Sequence, residues 1–77
     1  MTTPQSIGSY VLCIDNGGYP ESLEVRKVYP VLLDKVAESR QYLRVIDETG
    51  EDYLYPSKYF MFLDLSLEIE RALSAAA

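Results

Sequence analysis

Apolar residues recur along the chain in short alternating bursts separated by turn-forming clusters, the spacing of a β protein rather than a helical one. Tyr10 to Ile14 is the first burst, and Asp15-Asn16-Gly17-Gly18 stops it with strong turn chemistry. Leu23-Glu24-Val25 alternates in and out, predicting a short strand that turns at Arg26-Lys27. Val28 to Leu33 predicts another strand, in which Pro30, having no N–H, implies an edge, a bulge or an unpaired position. Asp34 to Gln41 is polar and suits a loop or one helical turn; the loop is preferred because the flanking strands need a connection of about that length.

Tyr42 to Ile46 and Asp52 to Tyr55 flank Asp47-Glu48-Thr49-Gly50-Glu51, a hairpin link with Gly50 where positive φ is wanted. Pro56-Ser57-Lys58-Tyr59 interrupts the strand and fits a single 3₁₀ turn before Phe60 to Leu63 extends again. Beyond it, Ser66 is positioned to cap a helix with Glu68 and Glu70 in its first turn. Leu65, Ile69, Ala72, Leu73 and Ala76 share one face of that helix, which predicts packing on its own domain. The expectation is a mainly β fold: a flexible N-terminal segment over residues 1 to 8, a small five-stranded barrel over 9 to 64, and an amphipathic helix and tail over 65 to 77. Closure into a barrel hides sheet edges without extra residues as covers.

Composition limits what this fold can do. A chain of 77 residues buries only about 60% of its unfolded surface, so a large enclosed pocket competes with the core for the same side chains. There is no His, which removes the Ser-His and Cys-His catalytic pairs and imidazole metal sites. The single Cys13 lies in an apolar stretch and is expected to act as a buried small hydrophobe. Neither a cofactor nor a metal is expected, and the chain is expected not to be an enzyme.

The net charge is -5, from 12 acids against 7 cations spread along the chain, a field that repels nucleic acid and anionic lipid. Residues 1 to 6 carry no positive charge, and the longest apolar run, Tyr59 to Leu63, falls far short of the roughly 20 residues of a membrane span. A cytoplasmic protein is the resulting expectation.

The order of strand, long acidic loop, hairpin and Pro-Ser-x-Tyr-hydrophobe segment resembles the Src-homology-3 barrel over roughly residues 9 to 63. Pro56-Ser57-Lys58-Tyr59-Phe60 is similar to that family's 3₁₀ segment, and Val11 to Asp15 stands in the place of its first-strand motif. The wording Cys13-Ile14-Asp15-Asn16, followed by Gly50 to Pro56, also resembles a group of short bacterial proteins of uncharacterised activity. The family resemblance implies a groove for extended, proline-rich peptides. Pro56 and Tyr59 match that groove, whereas the first-strand aromatics fall near Ile14 and Asn16 and there is no Trp, which removes one wall. The acidic loop survives in outline through Asp15, Glu21 and Glu24, suited to a basic partner segment.

Tyr53, Tyr55, Tyr59, Phe60 and Phe62 crowd into ten residues, either as barrel filling or as an interaction patch. Strict alternation makes Leu54 the arbiter: with Leu54 in the core, Tyr53 and Tyr55 are outside together. Asp47, Glu48, Glu51 and Asp52 lack the spacing of a calcium loop and are expected to be an ordinary solvated hairpin tip. The expected function is a non-catalytic module that binds another protein or peptide through Tyr53, Tyr55, Pro56 and Tyr59, with Glu21 and Glu24 beside them. The alternatives are a nucleic-acid-binding barrel and a structural homo-oligomer.

Overall fold

The computed structural model describes residues 7 to 75. Five strands form one antiparallel sheet: β1 (Ile7–Cys13), β2 (Val28–Leu32), β3 (Tyr42–Ile46), β4 (Asp52–Pro56) and β5 (Phe60–Leu63). Their order is β4-β3-β2-β1-β5, so β4 and β5 are the two edges and the sheet is not closed by hydrogen bonds between them. A 3₁₀ turn, Ser57–Tyr59, carries the chain from one edge to the other. Two helices complete the fold, α1 (Lys35–Ser39) and α2 (Leu67–Ala75). Among the described residues no helix is long and apolar enough to cross a membrane.

Of the segment expected to be flexible, residues 1 to 6 lie outside the described residues, while Ile7 and Gly8 already belong to β1. In β2, Pro30 faces Tyr10, and the Cys13 N–H donates to the Lys27 carbonyl at 2.9 Å three pairs further along. Counting the antiparallel alternation from that bond makes Tyr10 and Pro30 a non-hydrogen-bonded pair, so the missing N–H is directed at β3. The β2–β3 ladder accordingly pairs only Val31 with Val45 and Leu32 with Arg44.

The expected hairpin at Asp47 to Glu51 is present, with Gly50 at φ 83°. Two expectations fail. Leu23-Glu24-Val25 is not a strand: the N–H groups of Ser22 and Leu23 both donate to the Tyr19 carbonyl, and Lys27 N–H to Glu24, so the segment coils through local turns. Leu23 is nevertheless fully buried and pins the loop to the core. Nor is Asp34 to Gln41 a loop: Asp34 caps α1, accepting from the Ala37 N–H at 3.0 Å, a contact of the kind that contributes about 1 kcal/mol. The same carboxylate receives the Arg44 Nε–H at 2.9 Å, while Arg44 Nη1 reaches Asp52 at 2.9 Å, tying the helix start to β3 and β4.

The core gathers Val11 and Cys13 of β1, Tyr29 and Val31 of β2, Leu43 and Val45 of β3, Tyr55 of β4 and Phe60 of β5 around Leu23. Cys13 is buried as expected, and burial pushes its thiol pKa up. Helix α2 lies on the opposite sheet face, where the Tyr10 hydroxyl meets Ser74 Oγ at 2.7 Å and reaches the Glu70 carbonyl at 3.4 Å. Ser66 caps α2 through the Ile69 N–H at 3.3 Å. The helix contributes no buried residue, and Ile69, expected to pack inward, is exposed; Ala76 lies outside the described residues.

Candidate functional site: an aromatic cleft beside the hairpin

Tyr53 and Tyr55 pair with Val45 and Leu43, both core residues, so the two tyrosines face the inside of the sheet and Leu54 faces out. The alternation is as expected, and of the two sides it left open the tyrosines take the inward one. Tyr55 is therefore buried, which corrects its place in a surface patch, whereas Tyr53, nearer the hairpin tip, overshoots the core and stays 50% exposed. Tyr19, in the loop after β1, is 56% exposed and meets the Tyr55 ring edge-on with centroids 6.2 Å apart. Tyr19, Ser22, Thr49, Tyr53 and Leu54 thus surround a cleft of about 330 Å³ floored by Tyr55.

The rings continue beneath the surface from Tyr55 to Phe60 at 6.2 Å and from Phe60 to Tyr59 at 6.4 Å. Tyr59 is half-buried, with its ring over Gly17, whose φ of +59° and missing Cβ permit the approach. Its carbonyl accepts from the N–H groups of Ile14 and Asp15, at 2.8 and 3.2 Å. Pro56 is half-buried, paired with Tyr42 at the sheet edge. Neither Pro56 nor Tyr59 lines the cleft.

No family model, curated protein or solved structure matches this chain. What the site can do is therefore argued from its own chemistry.

The acidic hairpin is more organised than an ordinary solvated tip. Asp47 is buried and accepts from Tyr55 Oη at 2.6 Å, from the Thr49 N–H at 2.9 Å and from Thr49 Oγ1 at 2.5 Å. Burial opposes its charge, yet these donors hold its pKa below the usual 3.8. In turn, burial and the Asp47 carboxylate push the Tyr55 hydroxyl up to about 12. Glu48 takes the Tyr29 hydroxyl at 2.5 Å and Lys27 Nζ at 2.6 Å, and these contacts lower its pKa. Glu51 accepts from Tyr53 Oη at 2.9 Å, and Asp52 is bound to Arg44. Each of the four carboxylates answers a different donor. Among the described residues no group of His, Cys, Asp and Glu is arranged to hold a metal ion.

Glu21 is exposed near the cleft in sequence, and Glu24 is exposed with its carboxylate 3.9 Å from Lys27. The Glu24 backbone N–H donates to the Tyr29 hydroxyl at 2.8 Å, so this residue also anchors the loop. Of the six expected site residues, the structure brings Tyr53 and Tyr55 to one cleft, leaves Glu21 and Glu24 on its loop, and places Pro56 at the end of β4 and Tyr59 in the turn after it, outside the cleft. Tyr19, Ser22 and Thr49 are additions. Tyr19-Pro20 after two glycines was the available signal for the first of them, an aromatic held by a turn where no strand buries it.

Proposed function

We propose that this chain is a non-catalytic protein-binding module: a partly open Src-homology-3-like barrel whose cleft between the β1–β2 loop and the β3–β4 hairpin takes an extended, basic segment of another protein. The strand order, the 3₁₀ turn between the edge strands and the ring contact from Tyr55 to Phe60 support the barrel form. The observation that carries the function is the pair Tyr19 and Tyr53, each about half exposed, standing on either side of a cleft with an aromatic floor. Tyrosine supplies large rigid contact area at little entropic cost, and the rings suit proline, aliphatic or cationic side chains. Glu21 and the chain's net charge of -5 favour a basic partner over nucleic acid.

An array of extended peptides, proline-rich and lysine- or arginine-bearing, tests this reading by fluorescence titration. Tyr19→Ala and Tyr53→Ala each weaken binding at least about tenfold, as loss of an interface anchor does. Both leave the melting temperature nearly unchanged. Absence of any binding peptide, or binding indifferent to both substitutions, overturns the proposal.

A further inference from the structure

On the sheet face opposite the core, register aligns Ile7 with Leu32, Leu32 with Arg44, and Arg44 with Leu54, a row that crosses four strands. Both helices sit on this face, α2 over the β1 side and α1 over the β3–β4 side. Beside α1 is a second cleft, of about 280 Å³, walled by Val36, Tyr42 and Leu54, with Arg40 on its rim. Val36 is 65% exposed. Arg44 in the same cleft is already bound by Asp34 and Asp52, whereas Arg40 makes no ion pair among the described residues.

Helix α2 shows the complement. It meets its own sheet through Leu73, Glu70 and Ser74, with Leu67, 62% exposed, at the border of that contact beside Ile7 and Tyr10, and Glu68 and Ile69 exposed beyond it. Ala72, one turn on, is small and exposed, so a partner surface can approach closely. The helix thus offers an acid flanked by two aliphatic side chains. The cleft offers aliphatic walls and a free guanidinium.

We propose that this face is a self-association surface, on which α2 of a second copy of the chain docks into the cleft beside α1, setting Glu68 against Arg40 and Leu67 against Leu54. Helix and cleft lie on one face at the two ends of the same cross-strand row. A two-fold axis parallel to the strands, passing between them, therefore forms both contacts at once, the self-complementary arrangement of a closed dimer. The two-fold contact doubles the apolar area that one nine-residue helix supplies.

Sedimentation velocity over a range of protein concentrations tests this directly. A monomer that converts to a dimer with concentration is expected, and Leu67→Asp or Val36→Asp, on opposite sides of the contact, each abolishes the dimer. Arg40→Glu and Glu68→Arg each weaken it about tenfold, and the two combined recover it to within about threefold. Far-ultraviolet circular dichroism verifies that each variant keeps its fold, and Tyr19→Ala leaves the dimer intact, which separates this surface from the peptide cleft. A monomer at every concentration, a dimer indifferent to both aspartates, or a charge swap as weak as its single members overturns the proposal.

Discussion

The Tyr55 hydroxyl donates to the buried carboxylate of Asp47 at 2.6 Å, joining the start of the β3–β4 hairpin to the residue that floors the aromatic cleft. Hydrogen bonds to a buried charge are among the stronger ones, because removing the donor leaves the carboxylate under-solvated. Tyr55→Phe is expected to lower stability by about 1.5–3 kcal/mol in urea unfolding. Tyr53→Phe, which removes an exposed contact to Glu51, is expected to stay within about 0.5 kcal/mol of the parent. Equal effects from the two would sink this account.

Stability should fall at both ends of the pH range. In the folded state the carboxyls of Asp47, Glu48 and Asp34 lie below their ordinary 3.8, 4.5 and 3.8. A depressed carboxyl contributes stability above its unfolded pKa and loses that contribution as pH falls through the folded value, so the acid limb begins near pH 4 and deepens below it. Tyr55 runs the other way: raised from 10.0 to about 12, it contributes fully below pH 10 and loses the contribution as pH climbs towards 12. Tyrosinate absorbance read alongside circular dichroism checks the alkaline limb. Tyr55→Phe should shrink that limb, leaving the part from Tyr29, whose hydroxyl is raised by burial and by Glu48, and an unchanged limb in that variant refutes the assignment.

Two adjacent glycines should respond unequally to alanine. Both have positive φ, +59° at Gly17 and +86° at Gly18. A Cβ on Gly17 strikes the Tyr59 ring, while one on Gly18 meets open space. Gly18→Ala should cost only the conformational penalty, about 1 kcal/mol, and Gly17→Ala more, about 2–4 kcal/mol in all, with displacement of Tyr59. Thermal melts of the pair decide it, and a Gly17→Ala variant no less stable than Gly18→Ala would falsify the ring-over-glycine contact.

Arg26 offers the opposite case. It sits at φ 74°, its N–H donating to the Cys13 carbonyl at 2.7 Å while Cys13 donates back to Lys27, a bulge that normally takes glycine at its first position. Arg26→Gly is expected to stabilise the fold by about 0.5–1 kcal/mol, the relief of a left-handed side chain less the added freedom of the unfolded chain. Chemical denaturation measures it, and a loss of stability would show that the arginine side chain contributes more than its backbone costs.

All five strands of the fold are visible in the sequence because alternation and turn residues are local signals. Gly50 at the hairpin, the proline before the 3₁₀ turn and Ser66 before α2 act on the backbone of their own segments, and each lies where its chemistry indicates. What escaped depends on distant partners. Asp34 caps α1 while held by Arg44 of β3, and Leu23 is buried by the core it reaches rather than by pairing. Alternation separates Leu54 from Tyr53 and Tyr55 but carries no sign. The pairing with Leu43 and Val45 settles which side is inward, and with it which half of the tyrosine pair reaches the surface. Tyr19 owes its place to Tyr55, far along the chain.

Strand β1 has neighbours from very different times in the chain's synthesis. Its pairing with β2 can form early, but Tyr10 must wait for Leu63, and Cys13 for Phe60, before the other side of the strand is closed. A chain made only as far as β4 leaves the β5 side of β1 unpaired, with no strand beside Val11. Folding of this sheet is therefore completed only once β5 has been made, by the long-range meeting of its first and last strands.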